Sequence, residues 1–386
     1  MKFNFSERLN KLPAYLFAEI DKMKAQVKAG GVDIISFGIG DPDLPTPKEI
    51  VDVLKKESEI DINQKYPSYE GLLGFRKSVS GWYNKRFGVS LDPGIEVLSL
   101  IGSKEGIGHL PLAFINPGDV VLIPDPGYPV YRAGTVFAGG IPYIMPLLED
   151  NDFLPDFSRI PANILEKAKI MFLNYPNNPT SATADKYFFN EVVKFAKKNN
   201  IIVAHDFAYS EIYTGEKEND SFLSVNGAKD IGIEFNSLSK TFNMTGFRIG
   251  FAVGNEDVIK GLGAVKTNLD SGVFQAIQLS AAYGLDNEFH VVKDNNSIYK
   301  KRRGLLVEGL EKLGYKVYKS DATFYVWAHV PKINMTSKDF AMSLLNETGI
   351  IVTPGSGFGD YGEGYVRFSL TISENRIKEA LIRMGA

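Results

Sequence analysis

The sequence predicts an α/β fold built on a mostly parallel sheet. Short apolar segments alternate with amphipathic helical segments through the middle of the chain, which is the pattern of strands joined by crossover helices. Several of the apolar segments have no polar face, as expected for strands that helices cover on both sides. The seven predicted strands cover residues 96–101, 119–124, 141–145, 168–173, 201–204, 233–236 and 249–253.

Helices are predicted between these strands, and the clearest spans residues 185–200, where Phe188, Val192 and Phe195 fall on one face. After about residue 276 a long charged helical stretch leads into further short apolar segments. We interpret this part of the chain as a smaller α+β domain with its own sheet. Its predicted strands cover residues 315–318, 323–327, 349–352 and 365–368.

The composition is that of an ordinary globular protein. A chain of 386 residues that is 44% hydrophobic and 23% charged predicts two domains. The net charge is −3 and no basic stripe is present, so we expect neither nucleic acid nor a membrane surface as a partner. There is no cysteine, and the four histidines are scattered without metal-ligand spacing, so no metal site is expected. No segment has the length of a membrane span or a signal core, which predicts a cytoplasmic enzyme.

Lys240 lies in the most informative segment of the chain, residues 236–249, which read Asn-Ser-Leu-Ser-Lys-Thr-Phe-Asn-Met-Thr-Gly-Phe-Arg-Ile. Ser237 and Ser239 precede the lysine, and Arg248 follows it. A lysine amine can bond covalently to an aldehyde cofactor while hydroxyls and an arginine hold a phosphate. Alone, Lys240 would be interpreted as a surface charge, because the chain has 43 lysines and arginines. The segments that follow other predicted strands distinguish it.

Four further segments lie at or just after the ends of predicted strands, where ligands bind in open α/β sheets. They are Gly-Ser-Lys-Glu-Gly at 102–106, Asn-Tyr-Pro-Asn-Asn-Pro-Thr at 174–180, Asp-Phe-Ala-Tyr at 206–209 and Val-Arg-Phe-Ser at 366–369. With the Lys240 segment they resemble the fold-type I aminotransferases, which use pyridoxal 5′-phosphate, over nearly the whole chain. The resemblance implies a large cofactor-binding domain at residues 46–275 and a small discontinuous domain formed by residues 1–45 and 276–386.

The resemblance assigns the catalytic role and the covalent bond with the cofactor to Lys240. The turn at residues 102–104 opens a helix, so its N–H groups and the Ser103 hydroxyl can bind an anion. An ordinary strand-to-helix turn would have a similar sequence. The residues that the resemblance implies around the cofactor phosphate are Ser103, Lys104, Ser237, Ser239 and Arg248.

Four further residues are implied to contact the cofactor ring. Asp206 would pair with the pyridine nitrogen, where a fixed negative charge keeps the ring protonated. Tyr209 and Asn178 would contact the phenolic oxygen, and Tyr128 would stack on the ring. Each has a second interpretation: Asp206 as a helix N-cap, Asn178 as a turn residue and Tyr128 as a core tyrosine. His205, beside Asp206, is expected to point to the other face of its strand.

The substrate is implied to contact Arg367, Gly40 and Asn178. The Arg367 guanidinium suits bidentate binding of an α-carboxylate, and Gly40 would let the backbone approach closely. Tyr66 matches a tyrosine that reaches the cofactor phosphate of the neighbouring subunit, which implies a homodimer with shared active sites. A surface arginine, a loop glycine and a core tyrosine are the other interpretations of Arg367, Gly40 and Tyr66.

Three segments are most similar to the LL-diaminopimelate aminotransferases: residues 12–20, 101–106 and 268–278. The similarity implies substrate contacts at Tyr15 and Asn268, although Tyr15 also suits the apolar face of a helix. It further implies transfer of an amino group between LL-2,6-diaminopimelate and 2-oxoglutarate in lysine biosynthesis. The alternatives are a broad-specificity aspartate, alanine or methionine aminotransferase, and a lyase of the same fold. A transcription regulator would need an added DNA-binding region.

The sequence departs from the family pattern in two places. The better-known branch of the LL-diaminopimelate aminotransferases has a glutamate three residues after the Tyr66 position, whereas this chain has Tyr69 there and Glu70 next. Recognition of the far end of the substrate is therefore expected to be rearranged or absent, with Glu70 and Tyr15 as candidates. Ser181 replaces the glycine of the usual Asn-Pro-Thr-Gly segment, and we expect a local change of backbone there with function intact. A solvent-facing role is expected for Arg132, with binding of a distal carboxylate as the alternative.

Overall fold

The computed structural model describes residues 3–13, 31–332 and 334–385. Tyr15, one of the predicted substrate contacts, lies outside the described residues. The strands are β1 (Ile35–Ser36), β2 (Val97–Leu100), β3 (Val120–Asp125), β4 (Ile141–Pro146), β5 (Ala168–Asn174), β6 (Ile202–Asp206), β7 (Gly232–Ser237), β8 (Gly250–Gly254), β9 (Tyr325–His329), β10 (Ile350–Ile351), β11 (Thr353–Pro354) and β12 (Tyr365–Ser369).

The helices alternate with the central strands as predicted. The α-helices of the described residues are α1 (Glu7–Asn10), α2 (Lys48–Ser58), α3 (Leu73–Phe87), α4 (Ser103–Phe114), α5 (Val130–Phe137), α6 (Ala162–Leu165), α7 (Lys186–Asn199), α8 (Leu238–Thr241), α9 (Glu256–Leu269), α10 (Gln275–Asn287), α11 (His290–Lys312), α12 (Ser337–Thr348) and α13 (Glu374–Met384). None of these helices combines the length and apolar character needed to cross a membrane.

A seven-stranded sheet forms the centre of the fold, in the order β2-β8-β7-β6-β5-β3-β4. It is mostly parallel, because only β8 pairs antiparallel with both of its neighbours. Alternate residues of a central strand enter two hydrophobic cores: Val121 and Ile123 enter one, and Val120 and Leu122 enter the other. Burial on both faces explains the unbroken apolar segments of the sequence.

Helix α7 illustrates how local sequence sets these elements. The Asp185 side chain accepts a hydrogen bond from the Phe188 N–H and caps the helix start. Phe188 and Val192 are buried against the sheet, and Phe195 packs beside them. The helix ends at Asn200, which has a left-handed conformation with φ of 53°. The predicted helix and its apolar face are confirmed.

Two smaller sheets lie outside the central one. Strands β11, β12 and β9 form an antiparallel sheet, and β1 pairs in parallel with β10. A separate hydrophobic core joins Ile35 and Phe37 to residues of the last quarter of the chain. The N-terminal segment thus packs with the C-terminal part, as a discontinuous domain requires. Residues 315–318, predicted as a strand, instead contribute an isolated bridge between Val317 and Ala328, because this segment pairs only briefly at the sheet edge.

The packing of α10 bears on the predicted domain boundary at residue 275. This helix contacts α2 and α3, which belong to the large domain, and Phe289 and Val292 join the core that covers the central sheet. The long helix α11 then continues to Leu306 and Leu310, which belong to the second core. We propose that the division between the domains falls within α11 and that α10 belongs to the large domain.

Candidate active site

The ends of several central strands meet the small sheet around a cavity of about 520 Å³. This is the location expected for a ligand site in an open α/β sheet. The predicted site residues that line it are Gly40, Ser103, Lys104, Tyr128, Asn178, Asp206, Tyr209, Ser237, Ser239, Lys240, Arg248 and Arg367. Residues far apart in the sequence therefore converge on one cavity.

Lys240 lies on the short helix α8, directly after β7, with its amine directed into the cavity. Its Nζ donates a hydrogen bond to the Gly40 carbonyl oxygen at 3.1 Å. Burial lowers the pKa of Lys240 to about 8, and the positive charges of Arg248 and Arg367 act in the same direction, against the negative charge of Asp41. A neutral amine, which is the reactive form toward an aldehyde, is thus accessible near neutral pH.

Another part of the cavity can bind an anion, and it is formed by the start of α4 and by Arg248. Gly102 has a positive φ of 79°, and a Cβ there would lie 2.4 Å from Nη2 of Arg248, so a larger residue would displace the guanidinium. The Ser239 hydroxyl is buried and makes no hydrogen bond to any described residue. Ser237 and Ser103 line the same end of the site. A helix start, an arginine and an unsatisfied hydroxyl together fit a phosphate.

Asp206, the last residue of β6, provides a buried carboxylate on the cavity wall. Tyr131 donates a hydrogen bond to Asp206 Oδ2 at 2.8 Å, and the Ala208 N–H donates to Oδ1 at 3.3 Å. Burial raises the pKa of Asp206 to about 6, against the effect of these hydrogen bonds and of the charge on Lys240. A cationic ring nitrogen beside this carboxylate would favour its ionised form. The bond from the Ala208 N–H is local, but residues 208–211 form a turn and not a helix, so the interpretation of Asp206 as a helix N-cap is wrong. Its pairing with the ring nitrogen stays a prediction.

His205 faces the other side of the strand, as predicted. Its ring is fully buried, with Nδ1 at 2.8 Å from Glu234 Oε1 and Nε2 at 3.0 Å from the Tyr175 carbonyl oxygen. The ring also packs edge-on against Phe189. His205 is a packed structural residue that stays outside the cavity.

Arg367 and Asn178 form a polar pair at the side of the cavity that the small sheet provides. Arg367 is only 1% exposed, and its Nη1 donates to Asn178 Oδ1 at 2.6 Å while Nη2 donates to the Gly38 carbonyl oxygen at 2.8 Å. Its guanidinium lies 4.1 Å from the centre of the Tyr325 ring. These contacts fix the guanidinium in the wall, which excludes the surface interpretation of Arg367.

Aromatic side chains shape the remaining walls. Tyr209 and Tyr325 share a hydrogen bond of 3.0 Å between their hydroxyls, and burial raises the pKa of Tyr209 well above its usual value. Tyr209 is therefore protonated and able to donate a hydrogen bond. A Cβ at residue 40 would lie 2.1 Å from the Tyr325 hydroxyl, so a side chain at this position would displace Tyr325. The predicted approach of the Gly40 backbone to the substrate stays a prediction. Tyr128 lines the cavity and packs edge-on against Tyr131.

Three residues of the site were not predicted from the sequence. Tyr131, on α5, holds Asp206 through its hydroxyl, but Tyr128 precedes the helix, so their spacing in the sequence did not indicate a shared face. Asp41 lines the cavity and acts on Lys240 through its charge. Tyr325 carried no signal, since it resembles any other aromatic residue of a buried strand.

Tyr66 and Asn268 do not line the cavity of their own chain. Tyr66 is 87% exposed, so the interpretation as a core tyrosine is wrong. Asn268 is also exposed, and its side chain donates to the Ala264 carbonyl oxygen at 2.9 Å within α9. Glu70 and Arg132, the candidates for binding the distal end of the substrate, also lie outside the lining of this cavity.

Ser181 keeps the backbone shape that a glycine would give. Its φ is 66°, in the left-handed region, and its hydroxyl bonds with Thr323 Oγ1 at 2.7 Å and with the Tyr325 carbonyl oxygen at 2.9 Å. These bonds to Thr323 and to the first residue of β9 hold the serine in an otherwise unfavourable conformation. The change of backbone that we expected at this position is not needed.

A doubly covered α/β sheet with a buried lysine, a buried carboxylate and an anion-binding helix start at its strand ends defines the fold-type I class of pyridoxal-phosphate enzymes. Residues 32–384 match the sequence profile of aminotransferase class I and II. The chain therefore belongs to this aminotransferase family, and its cofactor is pyridoxal 5′-phosphate.

Individual relatives are similar over nearly their whole length. The LL-diaminopimelate aminotransferase of Aquifex aeolicus is 55% identical over 99% of this chain and 98% of its own. The enzyme of the same name from Syntrophobacter fumaroxidans is 53% identical over 100% and 99%. Among solved structures, apo-BacF of Bacillus subtilis has a TM-score of 0.96 and 38% identity, covering 99% of this chain and 98% of that one.

Proposed function

We propose that the protein transfers an amino group between LL-2,6-diaminopimelate and 2-oxoglutarate, in lysine biosynthesis. The observation that carries this proposal is the full-length similarity to LL-diaminopimelate aminotransferases, together with a cavity lined by the residues that the reaction needs. Pyridoxal phosphate supplies an aldehyde and a ring that accepts electrons from the substrate Cα.

Each side chain then has a role that follows from its position. Lys240 would hold the cofactor aldehyde through its amine and would carry a proton away from the substrate Cα. Asp206 would keep the ring nitrogen protonated, and Tyr131 fixes the carboxylate in position. Ser103, Ser239 and Arg248 would bind the phosphate.

Arg367 binds the substrate α-carboxylate. Its guanidinium is held in place by Asn178 and by the Gly38 carbonyl oxygen, so little orientational freedom remains to be lost when a substrate binds. A fixed, buried cation also favours carboxylates over neutral groups. The amine of a bound amino acid is thereby oriented within the same cavity as Lys240.

The active site is proposed to be shared between the two subunits of a homodimer. Tyr66 and Asn268 lie on the surface, as residues that serve a partner's site must. The segment that carries Tyr66 is held to the body of the chain by Gln275, whose Nε2 donates to the Lys65 carbonyl oxygen at 3.1 Å. An exposed tyrosine on an anchored segment suits a contact with the neighbouring cofactor.

Mixing two inactive variants tests this arrangement. A Lys240→Ala chain still donates Tyr66, and a Tyr66→Ala chain still has Lys240. After random exchange of subunits in an equal mixture, about a quarter of the sites should be restored, because half of the dimers contain one complete site. Tyr69→Ala is the matched control, since Tyr69 is an exposed tyrosine of the same segment. No recovery in mixtures whose exchange is verified by mass spectrometry would contradict the shared site.

Specificity for the far end of diaminopimelate is proposed to depend on Glu70. The backbone of this residue is fixed, because the Ser99 N–H donates to the Glu70 carbonyl oxygen at 2.9 Å, and its side chain is exposed. A distal ammonium left unpaired in a closed site costs roughly 1–3 kcal/mol. Glu70→Gln is therefore expected to lower kcat/KM for LL-diaminopimelate by about one to two powers of ten, with a much smaller effect on glutamate.

Steady-state kinetics with 2-oxoglutarate and a panel of amino acids tests this proposal. Glu59→Gln, an exposed glutamate close by in the sequence, is the control. Equal losses for diaminopimelate and glutamate would remove the proposed role of Glu70. If aspartate, alanine or methionine reacts with wild type as well as diaminopimelate does, the broad-specificity alternative replaces the proposed substrate. Product formed in large excess over enzyme, without any 2-oxo acid, would instead indicate a lyase.

A further inference from the structure

A buried ammonium outside the cavity links two parts of the molecule that the proposed mechanism needs in fixed positions. Lys266, on α9, has no exposed surface. Its Nζ lies 2.7 Å from Asp270 Oδ1 and 3.7 Å from Glu105 Oε2. Oxygens of these carboxylates and a ring nitrogen of His109 lie within 4.8 Å of one another. Two carboxylates at this separation repel unless a cation lies between them, and here Lys266 supplies it.

Glu105 connects this cation to the phosphate-binding turn. It lies in the first turn of α4, and its Oε2 accepts a hydrogen bond from the Ile101 N–H at 3.0 Å, while Oε1 lies 3.1 Å from His109 Nδ1. Gly102, Ser103 and Lys104 thus lie between the two residues that this hydrogen bond joins. The Glu105 carboxylate, which Lys266 neutralises, therefore connects the residue before the turn to the residue after it.

Asp270 connects the same cation to the surface segment that faces the partner. Its Oδ1 also accepts a hydrogen bond from the Gly272 N–H at 2.8 Å. Gly272 packs closely on the segment that carries Tyr66, since a Cβ there would lie 3.1 Å from Pro67 Cγ. We call residues 270–274 the partner-facing loop. Asn268 lies immediately before this loop, at the end of α9.

We propose that Lys266 is a positioning residue that joins the phosphate-binding turn of its own site to the partner-facing loop that supports the neighbouring site. Loss of its charge leaves Glu105 and Asp270 to repel each other, which displaces both the turn and the loop. This inference rests on the proposed shared site. It does not depend on the identity of the substrate, because its primary readout is the binding of pyridoxal phosphate.

Lys266→Met, which keeps an unbranched side chain one atom shorter and removes the charge, is the main variant. Heterodimers are assembled in which one chain carries Lys240→Ala, so that only the Lys240-bearing chain can be covalently labelled. Pyridoxal phosphate is titrated into the apo-dimer, borohydride is added, and the cofactor fixed to Lys240 is measured. Lys266→Met is placed either in the labelled chain or in the chain that donates Tyr66.

We expect affinity for pyridoxal phosphate to fall about tenfold in both placements, equivalent to about 1.4 kcal/mol. Replacing one carboxylate in the same chain, as in Lys266→Met with Asp270→Asn, should recover part of the loss, because the repulsion is removed while the asparagine oxygen still accepts from Gly272. Lys260→Met, an exposed lysine on the same helix, is the control. Glu105→Gln keeps Lys266 and should weaken the binding of pyridoxal phosphate less than Lys266→Met does. It replaces Lys266→Met in the experiment if Lys266→Met does not fold.

Unchanged affinity in either placement, with the melting temperature of the apo-dimer preserved, would overturn the proposal. A lower melting temperature with unchanged cofactor affinity would also overturn it, since that is the result of a purely structural role. Failure of the shared site itself is recognised separately, because the mixture of Lys240→Ala and Tyr66→Ala chains would then show no recovery.

Discussion

Replacement of Lys240 by alanine is expected to abolish transamination, with kcat reduced by several orders of magnitude. The Lys240 amine lies inside the cavity, where it donates a hydrogen bond to the Gly40 carbonyl oxygen. Burial lowers its pKa to about 8, which makes the neutral, reactive form accessible. Both the attachment of the cofactor and the transfer of the Cα proton depend on it. Half-reactions with glutamate, followed by the absorbance of the cofactor, measure the loss directly.

The fold of the Lys240→Ala variant is expected to survive, because its phosphate contacts and Asp206 are unchanged. Non-covalent binding of pyridoxal phosphate should therefore persist and can be measured by dialysis. Lys260→Ala, on an exposed face of α9, is the matched control and should retain full activity. Substantial residual turnover by Lys240→Ala would show that another group carries the reaction.

Asp206→Asn is expected to lower kcat on the order of 10²- to 10³-fold with the fold intact. The two side chains are nearly equal in size, and an asparagine oxygen can still accept the hydrogen bond from Tyr131 or from Ala208. What is lost is the negative charge that keeps the ring nitrogen protonated. Asp206→Glu keeps that charge but displaces it, so its rate should lie between those of wild type and Asp206→Asn.

The competing interpretation, in which Asp206 only holds the local backbone, has its own control. Asp185 caps α7 through a hydrogen bond to the Phe188 N–H, far from the chemistry, and Asp185→Asn should leave kcat unchanged. Thermal unfolding of both variants separates effects on stability from effects on rate. Near-normal turnover by Asp206→Asn would mean that the residue serves only to hold the backbone.

The central sheet could be predicted because its strands obey a simple physical rule. A parallel strand covered by helices on both faces favours apolar residues on both of its faces, which is visible in residues 120–124 of β3 and residues 170–173 of β5. The prediction of a strand at residues 315–318 was wrong, because Val317 forms only one isolated bridge at the edge of a sheet. A few apolar residues do not distinguish such an isolated bridge from a strand. The division between domains likewise depends on which surface α10 covers, and its sequence pattern does not specify that surface.

Most of the candidate site could also be predicted, because its members follow strand ends and carry polar groups that a buried position must satisfy. Tyr131 and Tyr325 act through hydroxyls on otherwise ordinary core aromatics, so their roles depend on three-dimensional proximity to Asp206 and Tyr209. Tyr66 and Asn268 are exposed to solvent in a single chain. Their proposed roles depend on contacts with a second copy of the chain, which the fold of one chain does not provide.

The central claim is that Lys240 holds the cofactor, and reductive labelling tests it most directly. The holoenzyme is treated with borohydride, which fixes the cofactor to the lysine that carries it, then denatured, digested and mapped by mass spectrometry. We predict the label on the peptide that contains Lys240, at one equivalent per chain, and its absence from the Lys240→Ala variant. Label on any other lysine, such as Lys104 in the same cavity, would contradict the account.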